Sequence, residues 1–192
     1  MEESSNQLEK KVIVIGGSAG SLELILFALP NLREDLTVPI VIVLHRKATN
    51  DELLTELLKS KTKLLVKEAE EKEALNSGCI YICPANYHLL IENDFTFSLD
   101  YSEKVNFSRP SIDVTFQSAA DIYGNGTACI LLSGGNNDGT IGLLYVKNKD
   151  GKCIVQDPLT CQIPFMPKEA ISKNAADLIL KPEELIRFIN SY

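Results

Sequence analysis

Ser18 stands in the run Gly16-Gly17-Ser18-Ala19-Gly20, the G-x-S-x-G spacing that can present a serine nucleophile for acyl transfer. Glycines on either side permit a sharp turn after a strand, and free N–H groups at the start of a following helix can hold an oxyanion. The same residues also fit a turn in which Ser18 only caps that helix, or a nucleotide-binding loop. The nucleotide loop fits less well, because Ser18 occupies the second glycine position of G-x-G-x-x-G and the second strand ends in His45 rather than an acid.

A serine nucleophile needs a base, and the chain holds 2 histidines, His45 and His88. His45 follows the apolar run PIVIVL, so like Ser18 it falls at a strand's carboxyl end, where ligands gather in open parallel sheets. His88, in NYHLLIEN, reads as a half-exposed sheet residue without a direct catalytic part. A triad also needs a carboxylate to orient the imidazole. Asp138 fits, on a glycine-rich loop after the strand TACILLS, although a helix cap is its alternative role. Asp157, after CIVQ, is the rival acid, and Asp113 reads as a helix-dipole partner. Cys79, Cys83 and His88 make C-x3-C-x4-H, which lacks a fourth ligand, so neither a metal nor any other cofactor is expected. The cysteines read instead as small buried apolar residues.

These residues need elements to position them. Lys11 to Ile15 (KVIVI) is a β-branched strand, and Leu22, Ile25, Leu26 and Leu29 then recur at helical spacing up to Pro30. Pro39 to His45 repeats the strand pattern, and Asn50 can cap a helix carrying Leu53, Leu54, Leu57 and Leu58. Cys79 to Cys83, His88 to Glu92 and Phe95 to Leu99 read as extended runs forming an antiparallel hairpin added to the sheet. Ser111 then reads as the N-cap of a helix with Ile112, Phe116, Ala119 and Tyr123. Strands at Thr127, Cys153 and Leu178 alternate with helices from Asp138, near Pro167 and from Pro182. The expected fold is α/β, a doubly wound, Rossmann-like, mostly parallel sheet with helices on both faces.

With 192 residues and 45% hydrophobic content the chain suits one buried core, read as a domain over residues 11–192 after a polar lead-in over 1–10. A net charge of -7 argues against nucleic acid or an anionic membrane as partner. No apolar run approaches the roughly 18 residues of a membrane span. The opening MEESSNQLEK does not resemble a secretory signal, and 5 cysteines, an odd number, suit a reducing cytoplasm.

Seven ordered segments now carry a resemblance: VIVIGGSAGS, IVLH, GCIYICPANYHLL, RPSIDVTFQSAA, LLSGGNNDGTIGL, IVQDP and MPKEAI. Together they resemble the catalytic domain of chemotaxis CheB methylesterases over nearly everything from Val12 to Ile189. The resemblance implies a Ser18, His45, Asp138 triad, oxyanion donors in the backbone N–H groups of Ala19 and Gly135, and Arg109 and Ser111 bordering the site. It also implies hydrolysis of glutamate methyl esters, with glutamine deamidation as related chemistry, on a methylated chemoreceptor or another methyl-esterified protein. Two positions depart from the family: Gly135 replaces the methionine of T-G-M-G-x-D-G, and Phe165 replaces the glycine of G-M-P. They motivate a second expectation, a signalling or docking module that keeps the fold without efficient turnover. With about ten residues before the first strand, control by an attached receiver domain is not expected.

Overall fold

The computed structural model describes residues 10–46 and 53–192. The Asn50 cap and nearly all of the polar lead-in lie outside the described residues. In chain order the elements are β1 (Val12–Gly17), α1 (Ser21–Ala28), β2 (Ile40–Leu44), α2 (Leu53–Lys59), β3 (Leu65–Glu68), β4 (Cys79–Ile82), β5 (His88–Ile91) and β6 (Phe97–Asp100). There follow α3 (Ile112–Tyr123), β7 (Thr127–Leu131), α4 (Thr140–Asn148), β8 (Lys152–Gln156), α5 (Phe165–Ser172), β9 (Leu178–Leu180) and α6 (Pro182–Ile189).

Seven strands form one parallel sheet in the order β3-β4-β2-β1-β7-β8-β9. The near-continuous apolar runs of β1, β2 and β7 suit strands covered on both sides. Alternation sorts their side chains: Val12, Val14, Val41, Val43 and Leu131 join one buried cluster with Ile112, Phe116, Leu143 and Met166. Ile13, Ile15, Ile40, Ile42 and Ile130 join the opposite cluster with Leu24, Leu58, Leu185 and Ile189. Helices α3, α4 and α5 therefore cover one face and α1, α2 and α6 the other, the doubly wound arrangement expected. Among the described residues no helix is long and apolar enough to cross a membrane.

The middle of the chain differs from its sequence reading. Cys79–Ile82 is an interior strand of the parallel sheet, between β3 and β2, and among the described strands only β5 and β6 pair antiparallel. That hairpin is a separate two-stranded sheet lying against α3, with Leu89, Ile91 and Phe97 in the first cluster. The edge strand β3 was not expected, because Leu65 is exposed and its neighbours Lys67 and Glu68 are charged, so the apolar signal of a strand is weak.

Candidate active site

Chain order reverses across β1, with β2 on one side and β7 on the other, which opens a cleft at the strands' carboxyl ends. Register aligns Gly17 with Leu44 and Gly16 with Leu131. Ser18 and His45, the next residues on β1 and β2, consequently leave the sheet side by side. The Ser18 N–H donates to the Ser133 carbonyl at 2.9 Å, and the His45 N–H donates to the Gly17 carbonyl at 3.1 Å. Gly20 takes φ 82°, a left-handed turn that glycine adopts freely, and α1 starts after it without a side-chain cap. The capping role open to Ser18 is therefore not taken. Its half-buried hydroxyl bonds no protein group among the described residues and faces a cavity of about 250 Å³ shared with His45, Leu22 and Leu54.

Asp138 is fully buried and saturated with donors. Its Oδ2 accepts from His45 Nε2 at 2.7 Å and the Ile112 N–H at 2.7 Å. Its Oδ1 accepts from Ser111 Oγ at 2.9 Å, the Asp113 N–H at 3.1 Å and Asn106 Nδ2 at 3.2 Å. Burial alone would raise this carboxyl's pKa, but the hydrogen bonds from His45 and from the N–H groups of Ile112 and Asp113 outweigh it and hold the group below its ordinary value. A carboxylate accepting from Nε2 fixes the proton there in the neutral ring, which leaves Nδ1 with a lone pair. The imidazole is mostly buried and lines the same cavity as Ser18, so a base and a hydroxyl without a protein partner among the described residues face one space.

Asp157 is instead committed to a turn, its carboxylate accepting from the Leu159 N–H at 2.9 Å. Asp113 is buried beside Asp138, accepting from the Gly142 N–H at 2.6 Å and Asn106 Nδ2 at 2.8 Å. Burial, and then the charge of Asp138, push its pKa up.

The N–H groups of Ala19 and Gly135 donate to no protein group among the described residues, as oxyanion donors require. Their loops are stitched together by Ser133, whose hydroxyl donates to the Ala19 carbonyl at 2.8 Å and accepts the Ile163 N–H at 3.0 Å. Gly134 lies so close to the nucleophile that an added Cβ would come 3.0 Å from Ser18 Cβ and 2.5 Å from Met166 Cε. At Gly135 a Cβ would meet Ile163 Cγ2 at 3.8 Å, an ordinary van der Waals contact, so a side chain could start there without a clash. Phe165, at the start of α5, is half-exposed.

Arg109 lines a neighbouring cleft with His45, and its guanidinium donates to Asn86 Oδ1 and to the carbonyls of Tyr101 and Ser102. Ser111 does not border open space. It is wholly buried, and its hydroxyl serves Asp138 rather than capping α3. His88 is buried as well, not half-exposed: Nδ1 accepts the Ser111 N–H at 3.1 Å and Nε2 donates to the Glu103 carbonyl at 3.0 Å. It thus supports the residue that supports the acid. The sequence signal for this was faint, a lone histidine in an apolar run. Asn106 and Ser133 carry no local signal, since their partners are distant in the chain.

Comparison with known proteins gives the same direction. The family model described as CheB methylesterase matches residues 13–189. The chain belongs to this family. A Leptospira interrogans relative, provisionally named a protein-glutamate methylesterase/protein-glutamine glutaminase, is 45% identical over 175 residues, covering 91% of each chain. The Thermotoga maritima protein-glutamate methylesterase/protein-glutamine glutaminase is 37% identical, over 93% of this chain and 54% of its own length. The crystal structure of the Thermotoga maritima CheB methylesterase catalytic domain superimposes with TM-score 0.91 at 35% identity, over 95% of this chain and 98% of that one.

Proposed function

We propose that this chain hydrolyses glutamate methyl esters on a chemoreceptor-type protein, and deamidates glutamine by the same acyl transfer, through Ser18, His45 and Asp138. One observation carries the reading: a buried, donor-saturated Asp138 holds His45 by Nε2, and the ring lines the cavity of an otherwise unbonded serine hydroxyl. Ser18 Oγ attacks the ester carbonyl while His45 Nδ1 accepts its proton, and the tetrahedral oxyanion rests on the Ala19 and Gly135 N–H groups. His45 then protonates the leaving methoxide, methanol departs, and water deprotonated by Nδ1 cleaves the glutamyl-Ser18 ester. Asp138 keeps Nε2 protonated and offsets the imidazolium. Every proton is carried by groups of this chain, so the reaction needs no cofactor.

The catalytic unit is read as one domain over residues 11–192, acting in the cytoplasm, a compartment that suits its five free thiols. The test is methanol release from a methylated receptor fragment. Ser18→Ala should lower kcat by about 10⁶-fold, the scale of losing a triad serine. A folded Ser18→Ala protein with wild-type turnover would end the proposal.

A further inference from the structure

The second cleft beside His45, about 440 Å³, is lined by Arg46, Asn86, Lys104, Phe107 and Arg109. Phe107 lies on a two-residue hairpin loop, in which the Val105 N–H donates to the Ser108 carbonyl at 3.2 Å and the Ser108 N–H donates back at 2.8 Å. Both central residues are left-handed, Asn106 at φ 49° and Phe107 at φ 61°. Such a loop favours Asn-Gly, and a bulky side chain in the second position is strained. Asn106 is explained by its side-chain amide, which reaches both Asp113 and Asp138. Phe107 is not explained by the fold, because it is 98% exposed. Strain kept at a site's rim, for a side chain the fold does not use, points to a contact outside the chain.

The cleft's charge indicates what makes that contact. Among the described residues three cations line it and no carboxylate does, in a chain of net charge -7. Arg46 is paired with Glu68 and Arg109 is bound to its loop, whereas Lys104 is exposed and makes no ion pair among the described residues. We infer that the Val105–Ser108 loop is the substrate-docking element: Phe107 packs on the methylated protein beside the scissile ester, and Lys104 takes an acidic side chain flanking it. This deepens the methylesterase reading and rests on it.

Two peptides test the inference, each with one glutamate γ-methyl ester, one flanked by glutamates and the other by glutamines. For the acidic peptide, Phe107→Gly and Lys104→Glu should each raise KM about tenfold with kcat retained, the loss of one good contact. For the glutamine peptide Lys104→Glu should have little effect, and its defect on the acidic peptide should shrink in high salt. Glycine suits the left-handed position, so Phe107→Gly keeps the loop, and Lys104 is exposed, so neither variant confuses docking with misfolding. A wild-type KM in either variant, or a loss confined to kcat, would overturn the inference while the methylesterase reading stands. A wild-type protein that hydrolyses neither peptide nor a methylated receptor fragment would remove both.

Discussion

Asp138 accepts from two side chains across the cleft floor, from the serine before α3 and from the first two N–H groups of that helix, so its charge has no need of water. Replacing it by asparagine keeps the shape but puts an amide where His45 Nε2 requires an acceptor, and kcat should fall about 10⁴-fold, as tautomer loss does in other triads. Asp157→Asn touches only a turn, should cost under about 1 kcal/mol of stability, and should leave ester turnover intact; a larger kinetic loss from Asp157→Asn would reassign the acid. Asp113 gives a pH signature. Because its pKa is raised in the fold, the native state binds more protons than the unfolded chain from about pH 4 upward, so its contribution to stability falls as pH rises through that range. Denaturant titrations should accordingly show the stability of wild type relative to Asp113→Asn declining from pH 4 to 7; an increase would contradict the assignment. That Ser18, His45 and Asp138 would converge on one cleft was legible in the sequence, because each lies beyond the carboxyl end of an apolar strand and strand ends converge in a parallel sheet. The support from His88, Ser111 and Asn106 was not, because each acts through partners that only the tertiary fold brings near.

Among the elements, the site depends on how α5 and the loop after β7 meet. Gly134 donates to the Ile163 carbonyl at 3.0 Å and accepts the Met166 N–H at 2.9 Å, and the Met166 side chain is fully buried beneath it. Met166→Ala should cost about 3 kcal/mol and lower turnover through a loosened Gly135 donor, measurable by denaturant unfolding beside methanol release. Gly135→Ala should do the opposite: it has space for a Cβ and no left-handed φ, so stability should rise by about 0.5 kcal/mol with turnover preserved. A stability loss would mean that the loop relies on glycine there. Helix α3 was readable from its apolar spacing and its end at Gly124, and α6 from the proline at its start, Pro182. The β5–β6 hairpin was seen but misplaced, since alternation shows that strands pair without showing which surface they cover.

At the scale of the molecule, the sheet's switch point brings the ends of β1, β2 and β7 to one cleft, and their side chains are buried on both faces. The edges are less protected: Leu65 on β3 and Leu178 and Ile179 on β9 are exposed. Amide hydrogen exchange should be slowest in β1, β2 and β7 and fastest in β3 and β9, so that a firm central sheet holds the reacting groups. Family membership and fold say which chemistry this framework can host, and the proposal that it begins at Ser18 is the central claim to test. The most direct measurement is covalent labelling with a serine-directed fluorophosphonate, located by peptide mass spectrometry. The wild-type protein should carry a single adduct on Ser18, labelled slowly in His45→Ala and not at all in Ser18→Ala. A folded wild-type protein that stays unlabelled, or is labelled at another serine, would contradict the account.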